Sequence, residues 1–193
     1  MRGTKLGRLH YLVNRKSEKD CASPQRRHAA KKICVAAAKP EDLSSIDAII
    51  GAAYDVISGA AGHKRDWDRE RSLFVPGARL IPTSPVPGAA DSGHDLIPQV
   101  LDIDGYIARV EPLFAEHGFY EKEVARRTER FGQIAHVWST YESRHRPDDP
   151  EPFMRGINSI QLFYDGTRWW IVSVYWQHES AEHLIPRKYV AQS

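Results

Sequence analysis

The last third of the chain constrains the fold most, because it is typical of three consecutive β-strands. Residues 133–144, 153–164 and 168–179 are each rich in aromatic and β-branched side chains. An Asp-Gly-Thr sequence at 165–167 predicts a tight turn between the last two strands. Strands that follow one another through short connections favour an antiparallel meander.

The final predicted strand carries large apolar side chains on both of its faces. Strict alternation places Trp169, Ile171, Ser173 and Tyr175 on one face and Trp170, Val172, Val174 and Trp176 on the other. A sheet with one solvated face does not need tryptophan on both sides. We therefore expect one face to be covered by helices and the other by a partner chain or a second layer.

Apolar residues at helical spacing predict three helices upstream of these strands. The first covers residues 42–58 and the second covers residues 66–74. The third begins after an N-cap at Asp104 and ends at Gly118.

The segments between these helices predict the remaining strands. A short strand is expected at 78–82, followed by a loop at 83–94 that is rich in Pro, Gly, Ser and Ala. An extended segment follows at 96–103, and a highly charged strand at 119–130. Helices followed by a meander predict the α+β class, with the helices on one face of a bent antiparallel sheet.

Charge divides the chain into a tail and a domain. Residues 1–39 contain eleven of the 27 basic and two of the 25 acidic residues. Their net charge is therefore +9, and that of the remaining residues is −7. We expect a disordered basic tail over 1–39, a domain over 40–180 and a C-terminal tail over 181–193. The basic residues of the first tail lack the regular clusters of a nucleic-acid arm, so nucleic acid is not an expected partner.

Several classes of protein are not favoured. No segment approaches the ~20 apolar residues of a membrane span, and the apolar run at 33–38 is too short and too late for a secretory signal. We therefore expect a cytoplasmic protein with no membrane partner. His178 and His183 are five residues apart and do not fit a helical zinc motif. The sequence also contains no Gly-rich phosphate loop and no Cys-based zinc spacing, so no metal or other cofactor is expected.

Three short sequences, taken in order, carry a resemblance to a known superfamily. They are SLFVPGARL at 72–80, GQIAHV at 132–137 and FYDGTRWWI at 163–171. Together they resemble the nuclear transport factor 2-like superfamily, also called SnoaL-like, over residues 40–179. The resemblance implies a cone-shaped sheet packed on helices, an apolar pocket between them, and often a homodimer formed through the outer face of the sheet.

The resemblance leaves three functions open, because this superfamily includes isomerases, dehydratases, cyclases, epoxide hydrolases, transport factors and ligand-binding modules. The first hypothesis is that the cone binds a small, mostly apolar molecule. The second is an acid–base enzyme of the dehydratase, cyclase or isomerase type that uses a His/Asp pair. The third is a non-catalytic dimeric interaction module whose cone is filled by its own aromatic side chains.

The candidate catalytic residues are His136, Asp66 and Tyr54. Tyr54 matches the helical tyrosine of the ketosteroid isomerase branch, but the base position near 82–83 and the late-strand acid position near 158–159 lack carboxyl groups. His136 is a candidate general base that Asp66 or Glu142 would orient. The alternatives are that Asp66 caps the second helix and that His136 is a structural strand histidine.

Strand alternation leaves the orientation of His136 open. His136 shares a face with Trp138, Thr140 and Glu142, and this face either lines the pocket or points outward. The candidate ligand-binding residues are Trp67, Tyr141, Glu142, Asn158 and Trp176.

Overall fold

The computed structural model describes residues 38–85 and 96–190. The predicted basic tail, apart from Ala38 and Lys39, lies outside the described residues, and so does most of the loop predicted at 83–94. The last three residues of the predicted C-terminal tail also lie outside them.

The three α-helices of the described residues lie on one side of the sheet. The α-helices are α1 (Ile46–Ile57), α2 (Trp67–Leu73) and α3 (Ile103–Glu116), and short 3₁₀ helices span Pro40–Leu43 and Arg187–Tyr189. The predicted helix at 42–58 is therefore split into a 3₁₀ turn and α1. Among the described residues, no helix combines the length and the apolar character needed to cross a membrane.

A capping side chain precedes each α-helix. Ser45 Oγ accepts a hydrogen bond from the Ala48 N–H, and Asp66 Oδ1 accepts one from the Arg69 N–H over 2.9 Å. The prediction that Asp66 caps the second helix is confirmed. The prediction that Asp104 caps the third is wrong, because Asp102 accepts the Gly105 N–H and Asp104 instead binds Arg71.

A single curved sheet of six strands packs against the helices. Its strands are β1 (Phe74–Pro85), β2 (Leu96–Pro98), β3 (Tyr120–Phe131), β4 (Ile134–Arg144), β5 (Met154–Tyr164) and β6 (Trp169–His178). Their order is β2-β1-β6-β5-β4-β3, with β2 and β3 at the ends, so the described sheet is open. The predicted α+β class is confirmed.

Strands β3 to β6 form the predicted antiparallel meander, whereas β1 joins it in another way. Each consecutive pair from β3 to β6 is antiparallel. Strand β1 lies beside β6 and is parallel to it, with Ile81 opposite Tyr175. The sheet is therefore mixed. A parallel pair needs a long connection between its strands, and the connection from β1 to β6 contains α3 and strands β3 to β5.

An additional residue in β6 changes the predicted alternation of its side chains. Leu162 pairs with Ile171 and Gln161 pairs with Ser173, so Val172 is a β-bulge. The bulge brings Val174 and Trp176 to the inner face, which already holds Ile171. The predicted assignment of Val174 and Trp176 to the face opposite Ile171 is therefore wrong.

The inner face of β4 is the one that carries Ala135, Val137 and Tyr141. These side chains are 3%, 0% and 1% exposed and belong to the core that also includes the buried residues of α1. Alternation therefore places His136 on the outer face.

The chain itself covers part of the outer face. The Tyr189 ring packs on Trp138 with ring centroids 5.5 Å apart, and the Thr140 hydroxyl donates to the Tyr189 carbonyl. The Ile185 N–H donates to Glu179 Oε1 over 2.8 Å. The described part of the C-terminal segment thus contacts the sheet.

A buried arginine closes the C-terminal end of α1. Arg65 is 4% exposed, and its guanidinium donates to the carbonyls of Ile57, Gly59, Ala60 and His63 over 2.7–3.1 Å. Carbonyls at a helix C-terminus carry partial negative charge, which stabilises a buried cation. Gly59 in turn pairs with Phe119, so the same group fixes the chain before β3.

We expect Arg65→Lys to lower the free energy of unfolding by about 2–4 kcal/mol, because an ammonium cannot reach all four carbonyls and buried acceptors without donors cost about 1–3 kcal/mol each. Urea unfolding measures this loss. The control is Arg146→Lys, at an exposed ion pair with Asp149, for which we expect a change below about 1 kcal/mol. Equal losses in both variants would contradict the role assigned to Arg65.

Candidate functional site: a cavity between the helices and the sheet

The helices and the inner face of the sheet enclose a cavity of about 390 Å³. Small-molecule sites commonly measure about 300–1,000 Å³. Most of its lining is apolar and comes from all three α-helices and five strands, including Ile57, Phe74, Leu80, Phe114, Ile160 and Val174. The exposed residues His117, His145 and Phe153 mark one side on which it opens.

Half of the residues singled out in the sequence line this cavity. They are Tyr54 on α1, Tyr141 on β4, Asn158 on β5 and Trp176 on β6. The Trp176 ring meets Tyr106 of α3 edge to face, with centroids 6.1 Å apart.

The structure does not bring the predicted His/Asp pair together. His136 lies on the outer face, where its Nε2 is 2.9 Å from Ser159 Oγ and its ring contacts Trp138. Asp66 caps α2 on the side of the helices. The sheet thus separates the two groups.

Glu142 and Trp67 also lie away from the cavity lining. Glu142 forms ion pairs with Arg144 at 2.9 Å and Arg155 at 3.6 Å. Trp67 stacks on Phe114, with centroids 6.2 Å apart, and donates its indole N–H to Glu111. Trp67 therefore supports a wall of the cavity from behind.

The hydroxyl proton of Tyr54 is held within a buried hydrogen-bond chain. Asn158 Nδ2 donates to the Tyr54 oxygen over 2.9 Å, and Ser139 Oγ donates to Glu123 Oε1 over 2.5 Å. Because a serine hydroxyl has one proton, Tyr54 must donate to Ser139 Oγ, 2.7 Å away. Burial and the charge of Glu121 raise the pKa of Tyr54, which keeps the phenol neutral.

Tyr141 lies two residues after Ser139 on the inner face of β4, and its hydroxyl contacts His178. Its hydroxyl lies 2.8 Å from His178 Nδ1. Although His178 is exposed overall, partial burial lowers its pKa, which favours the neutral ring in this hydrogen bond. A Cβ on Gly156 would lie 2.4 Å from this hydroxyl and 2.5 Å from the Gln177 carbonyl, so only glycine leaves room for the contact.

Sequence reasoning missed two carboxyl groups of the lining, Glu70 on α2 and Glu121 on β3. Glu70 is 2% exposed, and its Oε2 receives no hydrogen bond from the described residues. Burial raises the pKa of Glu70 to about 8, although the charge of Arg69 opposes the shift. Burial also raises the pKa of Glu121 to about 7, against a hydrogen bond from Ser143.

One signal in the sequence points to Glu70. It lies three residues after Trp67 and four before Phe74, so it occupies the apolar stripe of a short helix. No comparable signal marks Glu121, which belongs to a charged run. Among the described residues, no cluster of three or more His, Cys, Asp or Glu side chains is arranged to hold a metal ion.

We expect Glu70→Gln to raise the free energy of unfolding above pH 8 by about 3–5 kcal/mol, at roughly 1.4 kcal/mol per pKa unit. The pKa of Glu70 is ordinarily 4.5 and is about 8 in the folded protein. At pH values between these two, folded Glu70 keeps a proton that the unfolded chain releases, so stability falls as pH rises. Glutamine does not titrate and avoids this loss.

Urea unfolding at about pH 5 and at about pH 8.5 tests this pH dependence. The two proteins should differ much less at the lower pH. Glu129→Gln, at an exposed position, is the control and should show no pH-dependent difference. A Glu70→Gln effect of equal size at both pH values would contradict the assigned cause.

Comparison with known proteins supports the architecture. No family model and no curated protein matches the sequence. A protein from Kribbella flavida of solved structure is 14% identical with a TM-score of 0.51, over 72% of this chain and 93% of that one. An NTF2-like protein of unknown function from Pseudomonas putida KT2440 is 10% identical with a TM-score of 0.50, over 73% and 89%. The chain therefore has the nuclear transport factor 2-like fold that its three sequence motifs predict.

Proposed function

We propose that the protein binds a small, mostly apolar molecule in the cavity between the helices and the sheet. The observation that carries this proposal is the cavity of about 390 Å³ with a largely apolar lining and a few polar groups, among them Asn158, Glu70 and Glu121. This combination is typical of sites that bury an apolar body and orient it through a few hydrogen bonds.

The open cavity supports binding over a pure interaction module. The module hypothesis requires a cone filled by its own aromatic side chains. Trp169 is 4% exposed within the core, but Trp176 and Tyr106 form walls of the cavity and leave its volume open.

A matched pair of valines in β6 tests the binding site. Val174 lines the cavity, whereas Val172, in the bulge, is 39% exposed. We expect Val174→Phe to weaken binding of the apolar dye Nile red at least about tenfold, since it fills the space the dye needs. Val172→Phe should leave binding unchanged.

The measurement is a titration of dye fluorescence, with circular dichroism to check that both variants fold. Equal binding by wild type and Val174→Phe would exclude the cavity as the dye site. An absence of dye binding by the folded wild-type protein would argue against the proposal itself.

A second candidate function is acid–base catalysis by the two carboxyl groups of the cavity. The observation that favours it is that the pKa values of Glu121 and Glu70 are raised to about 7 and about 8. General acids and bases work best with pKa values near the working pH, and such shifts are common at active sites. In this version, Glu121 and Glu70 replace the predicted His136 and Asp66.

Hydrogen–deuterium exchange at the α-carbon of 2-tetralone tests this second function. A Glu121 carboxylate that removes the α-proton and returns deuterium would accelerate exchange in D₂O. We expect Glu121→Gln to reduce the acceleration roughly 10²-fold, and Glu129→Gln to leave it unchanged. Exchange by the wild type at the rate of buffer alone would argue against acid–base catalysis on such ketones.

A further inference from the structure

Glu70 is a buried carboxyl group that takes no part in capping its helix. It is the fourth residue of α2, and the cap of that helix is already provided by Asp66. Its Oε2 is buried without a hydrogen-bond donor from the described residues, and its side chain lines the cavity. Because an unsatisfied buried polar group costs free energy, a donor carried by a ligand would restore what is missing.

Two arginines near the cavity, Arg69 and Arg109, interact with other side chains. Arg69, whose charge acts on Glu70, is paired with Asp42 at 2.8 Å and Asp55 at 2.5 Å. Arg109 of the cavity lining donates to Gln99 and to Ser84. Neither Glu70 nor Glu121 forms a salt bridge within the described part of the chain.

The other titratable groups of the lining do not supply a cation next to Glu70. The partly buried ring of His178 has a lowered pKa and is bound to Tyr141. His117 and His145 are exposed where the cavity opens. The pocket thus holds two carboxyl groups without a paired cation from the described residues.

The walls around these carboxyl groups are aromatic. Tyr106 is buried and lines the same cavity as Glu70 and Glu121. Trp176 meets Tyr106 edge to face, and Phe114 lies 4.9 Å from Phe119 between ring centroids. Aromatic faces attract cations as well as apolar groups.

We propose that the apolar molecule bound in this cavity carries a protonated amine, which donates to Glu70 as an ion pair while its apolar body contacts the aromatic walls. This inference rests on the proposed binding function. An ammonium supplies up to three N–H donors, more than a hydroxyl can offer to Glu70 and Glu121. When the ammonium binds, Glu70 releases the proton that it holds in the empty cavity, and that proton passes to the buffer.

Three probes with one apolar skeleton separate the possible ligand chemistries: 1-aminoadamantane, 1-adamantanol and adamantane-1-carboxylate. Calorimetric titration above pH 8 should show the amine bound at least about tenfold more tightly than the alcohol and the carboxylate, as for a charge-assisted hydrogen bond. In a more acidic buffer the advantage should shrink, because the amine must then displace the Glu70 proton.

Glu70→Gln keeps the shape of the side chain and removes its charge. It should weaken amine binding at least about tenfold and change alcohol binding less than about twofold. The exposed Glu129→Gln is the matched control and should change neither. Titration of the wild type near pH 7 in buffers of different ionisation enthalpy should show proton release on amine binding, and Glu70→Gln should abolish most of it.

Several outcomes would overturn the inference. They are an alcohol that binds as tightly as the amine, amine binding that Glu70→Gln does not weaken, and failure of all three probes to bind. Alcohol binding without a preference for the amine would leave the proposed function intact. If no adamantane probe binds, the Nile red titration shows separately whether the cavity binds apolar molecules at all.

Discussion

The contact of Arg65 with four backbone carbonyls sets the geometry on which the cavity depends. It ends α1 and fixes residues 59–63. The Gly59–Phe119 bridge joins this segment to the start of β3, which carries Glu121. Asp66 follows immediately and begins α2, which directs Glu70 into the cavity. One buried guanidinium therefore positions both carboxyl groups of the site.

The sequence was sufficient to predict the meander, the turn at 165–167 and four residues of the cavity lining, because alternation and turn residues are local signals. It was insufficient for the face of β6, because one added residue at Val172 reverses the alternation without changing composition. The bulge also accounts for much of the two-sided aromatic pattern that suggested a covered outer face. The homodimer stays a prediction, and Tyr189 covers part of that face from within the chain.

Charged residues were harder to interpret than apolar ones. The glutamates of the charged β3 strand differ in their partners, and the Glu123 carboxylate accepts hydrogen bonds from Arg126. Two positions earlier, Glu121 lies on the same inner face, but among the described side chains only Ser143 donates a hydrogen bond to its carboxyl group. Pairing depends on which strands meet in space, so spacing along the chain does not distinguish these two glutamates.

The parallel contact between β1 and β6 has a consequence for how the molecule forms. The Thr83 hydroxyl donates to the Trp176 carbonyl across 93 residues of chain, and such distant contacts close slowly because a long loop must be ordered first. During synthesis β1 emerges before β6, so it cannot form this parallel pair until β6 has also emerged. The cavity is therefore completed only after β6 has been synthesised, and until then its apolar lining stays exposed.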